Sequence, residues 1–375
     1  MGFDIKIGSL RQYSLEMDEL AQNVNPHFYI EANTKLALWE HGYMNHVWPM
    51  HELIVKRTIE QNKKIYGPGA LLYRSRLALE DTAKVYTDND RKHADKFEKL
   101  TDADESIGAV PRPRQERLPP LLKNEYGQAP YDDDVPGLDP LSGDAGRLLD
   151  RPPAKPPEEN PDTQDPVQEV KDAVDLLSPA NGINWGIKKI FGVDLVAKVS
   201  NVFGGDWQAW WRCADVWRRV GETQALVAHE VWRGNARLYA DWQGNAADKA
   251  YAYFHELSFA IKKLKPVYDK LWNIYRIAGI HVEKASGIVA DLIKELTDEA
   301  IISFLASTPT GGALASSHIV VKIRNILNRI QTTTMIYDGL VGAAADALAE
   351  VMAALTPIER SLPEPYSVPE AYRKL

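Results

Sequence analysis

The stretch "LYADWQGNAADKAYAYF", residues 238–254, leaves the chain little choice of conformation, because one amphipathic run ends in Trp-Gln-Gly and a second begins at once. Gly244 supplies backbone angles closed to residues with a side chain. Asn245 and Asp248 have the spacing of a helix N-cap answered by the residue three further on. Trp242, Gly244 and Asn245 are therefore the expected corner of a helical hairpin. Behind the corner, Ala246, Ala247, Ala250, Tyr251, Phe254, Leu257 and Ile261 recur at helical spacing as far as Pro266. In front of it, Trp207, Trp211, Ala214, Val220 or Gly221, Ala225, Ala228 and Trp232 suggest one face of another helix. Trp207, Trp211 and Phe254 are the expected packing residues of the hairpin. A second Trp-x-Gly, Trp232-Arg233-Gly234, lies inside the first run and lacks this context.

The net charge of −8 is concentrated in one part of the chain. Lys plus Arg against Asp plus Glu balance at 14 and 14 in residues 1–100 and at 23 and 23 from 169 onward, but stand at 7 and 15 in 101–168. That middle segment also holds 13 of the 23 prolines and only two aromatics, Tyr126 and Tyr131. Such a composition does not bury enough apolar surface to offset its ordering entropy, so 101–168 is expected to be a disordered, acidic, Pro-rich linker. No basic patch interleaved with aromatics flanks it, which argues against nucleic-acid binding.

Around the linker the pattern is helical throughout. Leu10, Tyr13, Met17, Leu20 and Val24 form one stripe. Leu53, Ile54 and Ile59 form another, and Leu72, Leu79, Ala83 and Tyr86 a third, with breaks expected at Pro26, Trp48-Pro49 and "YGPG". No run alternates with period two. The chain reads as all-α: an N-terminal helical-hairpin unit in 1–100, the linker, a helical bundle in 169–356, and a Pro-containing tail in 357–375.

At 45% hydrophobic content, 375 residues can bury a real core, and no uncharged apolar run reaches eighteen residues. The first twenty residues carry charges where a signal peptide needs an apolar stretch, so export by a cleaved N-terminal signal is not expected. Ile288 to Leu305 raises the question of membrane contact. Asp291, Lys294, Glu295, Asp298 and Glu299 interrupt it, and an amphipathic helix laid on a core is the expectation.

No arrangement of residues carries recognisable chemistry. Cys213 is the only cysteine and reads as a small core residue. His41, His46 and His51 are five apart, a step of about 140° on a helix, and do not converge unless the Trp48-Pro49 corner folds them together. The His-Glu pairs lack the second His of a zinc peptidase, and neither a nucleophile elbow nor a phosphate loop occurs. Asp346 and Glu350 read as an exposed helix face. No catalytic residue, metal site or cofactor is expected.

The sequences "GDWQAWWRCADVW" (205–217) and "DWQGNAADKAYAYF" (241–254) resemble the WXG-like helical-hairpin proteins exported by type VII (ESX) secretion, and among them the larger actinobacterial members. The N-terminal unit is similar to secretion-associated proteins of that group, through "LEDTAKVYTDND" at 79–90. The resemblance implies a non-enzymatic cargo, folded in the cytoplasm and sent to the cell surface or medium by the type VII secretion ATPase. It implies a helical-hairpin partner, either another protein or the chain's own second hairpin. It also implies an export signal of the form Tyr-x-x-x-Asp, for which Tyr86 and Asp90 are the candidates. Two other roles remain open: a delivery or partner module for a separately encoded toxin, and a membrane-active helical effector.

Overall fold

The computed structural model describes residues 6–23, 26–34, 47–63, 67–101, 153, 166–177, 182–203, 207–298, 317–360 and 363. Most of the expected linker and tail therefore lie outside the described residues, as do His41 and His46. Every regular element among the described residues is a helix: α1 (Ile7–Asn23), α2 (His27–Asn33), α3 (Trp48–Lys63), α4 (Pro68–Thr101), α5 (Pro166–Leu176), α6 (Ile183–Phe191), α7 (Leu195–Phe203), α8 (Trp207–Asp241), α9 (Asn245–Lys262), α10 (Lys265–Leu296) and α11 (Ser317–Arg360). The all-α class is thus observed.

Prolines open several of these helices, where the missing N–H is not needed. Pro26 precedes α2, Pro49 follows the first residue of α3, and Pro68 begins α4. Pro357 does not end α11, which runs on to Arg360. Arg57 of α3 supports that last stretch, donating to the Met352 carbonyl at 3.1 Å and to the Thr356 hydroxyl at 2.6 Å.

Helix α8 is 35 residues long, roughly 52 Å, and passes through two hydrophobic cores. Its first half supplies Trp210, Cys213, Trp217 and Val220 to a core shared with α10, α11, the short helices α5 to α7, and Tyr29, Ile30 and Ile54 from α2 and α3. Its second half supplies Val227, Ala228, Val231 and Leu238 to a core built with α9, α1 and α4. The N-terminal residues do not form a core of their own. They are divided between two cores that α8 connects.

The stripe expected on α8 is met in part: Ala214, Val220, Gly221 and Ala228 are buried, but the tryptophans differ. Trp210 and Trp217 are fully buried, whereas Trp211, Ala225 and Trp232 are only half-buried. With ten tryptophans in the chain, several crowded near 210, apolarity alone does not define the inward direction. The seam with α10 does. Trp210 stacks on Tyr275 with centroids 5.5 Å apart, and Trp217 lies parallel to Tyr268 at 6.1 Å. A Cβ on Gly221 would sit 3.0 Å from that of Tyr268, and one on Gly279 would sit 2.7 Å from the Trp211 indole nitrogen. Both glycines let the helix axes approach.

Between the two cores Gln224 is wholly buried, and neither amide atom has a hydrogen-bond partner among the described residues. A buried amide without partners costs about 1–3 kcal/mol. Gln224→Leu, of similar volume, should therefore raise the unfolding free energy by about that amount, read as a higher denaturation midpoint in urea.

Candidate functional site

The corner forms where the sequence indicates, with a different cap. Gly244, not Asn245, occupies the N-cap position, with φ 108° and ψ 175°, a region essentially restricted to glycine. Its carbonyl accepts from the Asp248 amide at 3.0 Å. Asn245 is the first helical residue, exposed, and α9 has no side-chain cap. The Asp248 carboxylate instead accepts from the Tyr239 hydroxyl at 2.9 Å, across the corner. The hairpin is further tied by Ser258 Oγ donating to the Ala228 carbonyl at 2.8 Å and Asn235 Nδ2 to that of Tyr251 at 3.0 Å.

Trp242 is 1% exposed, and its indole looks toward α4. Tyr86 meets it edge to face, with centroids 6.2 Å apart and planes at 83°. Tyr86 is itself a core residue, 8% exposed. The ring of this export-signal candidate is thus held in the core, where its removal should disturb the fold. Asp90 continues the α4 helix, and its side chain lies outside the described residues.

The same hairpin receives α1. The Lys6 amide donates to the Asp241 carbonyl at 3.0 Å, while the Lys6 ammonium and the Ser9 hydroxyl donate to the Asp241 carboxylate at 2.6 and 2.7 Å. These two donors hold the Asp241 carboxyl below the usual carboxylate range. One helical turn on, the Tyr13 hydroxyl donates to the Val231 carbonyl at 2.8 Å and its ring meets the edge of Phe254 at 5.0 Å. A Cβ on Gly234 would overlap that ring. The second Trp-x-Gly is therefore no corner. Its glycine lies inside α8, where it admits the Tyr13 side chain. Arg237 and Glu16 close the edge at 2.8 Å.

Of the expected packing residues, Phe254 is fully buried in the hairpin core. Trp211 packs toward α10 at Gly279, away from the hairpin. Trp207 opens α8, and its side chain lies outside the described residues. The roles of Lys6, Ser9, Tyr13 and Gly234 were not legible as a site, although Tyr13 lay in a recognised stripe. Lys6, Ser9 and Tyr13 meet α8 from more than two hundred positions away in sequence.

No catalytic arrangement emerges among the described residues. No group of three His, Cys, Asp or Glu could hold a metal ion. His51 is 1% exposed, with Nδ1 at 2.5 Å from the Tyr275 hydroxyl and Nε2 at 3.1 Å from the Thr34 carbonyl, which ties α3 to α10 and α2. Cys213, the chain's one cysteine, is buried. An open cleft of about 710 Å³ runs along α2 and α3, past Glu31, Trp48, Glu52, Lys56 and Glu60. The surface best defined by geometry is thus the Trp242 corner with α1 and α4 upon it. No known protein family, curated protein or solved structure matches the chain.

Trp242→Ala should open a cavity at the corner and cost about 3–5 kcal/mol, measurable by chemical denaturation. Burial and the Asp248 hydrogen bond raise the Tyr239 hydroxyl from 10.0 to about 12. Its contribution is complete below pH 10.0 and is lost as pH rises through about 12. Tyr239→Phe should therefore lose less stability than the parent across that window, read from melting temperatures at pH 9 to 12.

Proposed function

We propose that this chain is a non-enzymatic, helical-hairpin cargo of the type VII secretion group, exported without a cleaved signal, in which the partner hairpin is supplied by the chain itself. The observation that carries this reading is the docking of α1 and α4 on the α8/α9 hairpin, with Tyr86 edge-on to Trp242 and Tyr13 seated at Gly234. A WXG-like hairpin buries one apolar face against a second hairpin. Here Leu10 to Leu20 of α1 and Leu71 to Tyr86 of α4 cover that face, so a separate folding partner is not needed to keep it from water.

The reading also separates two tasks. Tyr86 serves the fold, through Trp242. Asp90, one helical turn further along α4, is the residue left for a translocase to recognise, together with what Tyr86 shows at the surface. The chain acts through binding and transport, with the secretion ATPase as its transient partner.

The test is export from a host carrying a type VII apparatus, with and without its ATPase, read as tagged protein in the supernatant beside a melting curve for each variant. Asp90→Ala should melt as the parent does and remain in the cell. Tyr86→Ala should lose about 2–4 kcal/mol of stability as well as export. Export that is independent of the ATPase, or undiminished in Asp90→Ala, would overturn the reading.

A further inference from the structure

Among the described residues, helix α11 is bound to the molecule along one side only. Ile326, Ile330, Tyr337 and Val341 are buried, while Met335 and Ile336, between them in sequence, are 66% and 60% exposed. At 100° per residue, Thr332, Met335, Ile336, Gly339, Gly342 and Ala343 lie within about 60° of one outward direction. From Ile330 to Ala345 the only charged residue is Asp338, which lies to the side of this face. A Cβ on Gly339 or Gly342 would meet no atom within 4 Å. Nothing among the described residues approaches the centre of the face.

The face has an order along its length. Toward the N-terminus from Gly339 come the large side chains Ile336 and Met335. Toward the C-terminus come Gly342 and Ala343. Charge follows the same direction: Arg324 and Arg329 lie on the N-terminal part, Asp346 and Glu350 on the C-terminal part, all four exposed. A helix whose bulk and charge both reverse about one glycine is complementary to its own antiparallel copy. With the two-fold axis at Gly339, Met335 lies opposite Ala343, Ile336 opposite Gly342, and Arg329 beside Glu350. A parallel arrangement would set bulk on bulk and like charge on like. Two glycines at the centre permit helix axes at the close end of the usual 8–10 Å range.

We propose that this chain forms a two-fold symmetric dimer through the Thr332 to Ala343 face of α11, paired antiparallel about Gly339. The occupant is a second copy, because the complementarity is isologous: the same patch serves both sides. Residues His318–Pro357 are long and apolar enough to cross a membrane, but only 28% of their most apolar window is buried inside the molecule. Insertion would nevertheless have to withdraw Ile326, Ile330 and Tyr337 from the core. A dimer buries the outward face and leaves that core intact.

The experiment is sedimentation equilibrium of the full chain over a wide concentration range, repeated for Gly339→Leu, Ile336→Asp, Arg329→Glu and the double variant Arg329→Glu with Glu350→Arg. The parent should dimerise. Gly339→Leu and Ile336→Asp should weaken association at least tenfold with melting unchanged, since both positions face away from the other described residues. Arg329→Glu should weaken it, and the added Glu350→Arg should restore it. A parent that stays monomeric throughout, or a dimer that survives Gly339→Leu, would overturn the proposal. So would a monomer that floats with phospholipid vesicles, which would make the face a membrane contact. A monomer whose Met335 resists peroxide oxidation would also overturn it, and would point to residues 299–316 of the same chain as the cover.

Discussion

The fold depends on α8 remaining one uninterrupted helix. Thirty-five residues join two cores that share no other long element to the same degree, and each core is completed by a different set of helices. Two glycines within α8, Gly221 and Gly234, weaken a helix by roughly 1 kcal/mol each relative to alanine. Each is used for a close approach: Gly221 by Tyr268 of α10, Gly234 by Tyr13 of α1. The helix gives up local propensity at two points and gains a neighbour at each.

The Trp242 corner joins backbone geometry to docking. Gly244 adopts angles that other residues avoid, so the chain reverses within two residues of Trp242 and the indole is set into the core. From that position Trp242 receives Tyr86 of α4, while Asp241, one residue earlier, receives Lys6 and Ser9 of α1. Ring and carboxylate of adjacent residues thus bind two separate segments, α4 and α1. Under the proposed function, this is how a hairpin that ordinarily seeks a partner finds one within its own chain.

Tyr86 shows where two readings of one residue compete. Its position in the stripe with Leu72, Leu79 and Ala83 marks it as core, and its spacing to Asp90 marks it as part of an export motif. The ring is buried, because α4 lies on α8 and α9 with that stripe inward. Under the proposed function, recognition has then to rest on Asp90 and on the edge of a largely covered ring. Helix α11 presents the converse: a stripe of residues that would read as core is left outside, because neither α10 nor α3 reaches that side.

Local chemistry was sufficient for the helical class, the proline and glycine breaks, the stripe Leu10, Tyr13, Met17 and Leu20, and the corner at Trp242. Each follows from periodicity or from backbone angles, which neighbouring residues determine. The cap at Gly244 was missed by one residue, since Asn245 is a good cap by type and only the actual turn shows which residue bends. The inward side of α8, the docking of Tyr13 on Gly234, the division of the N-terminal helices between two cores and the open face of α11 were decided by tertiary structure alone. Those features depend on which of several apolar faces meets which partner across two hundred residues. Sequence order carries no record of that choice, because burial rewards any sufficient apolar contact and only shape selects among them.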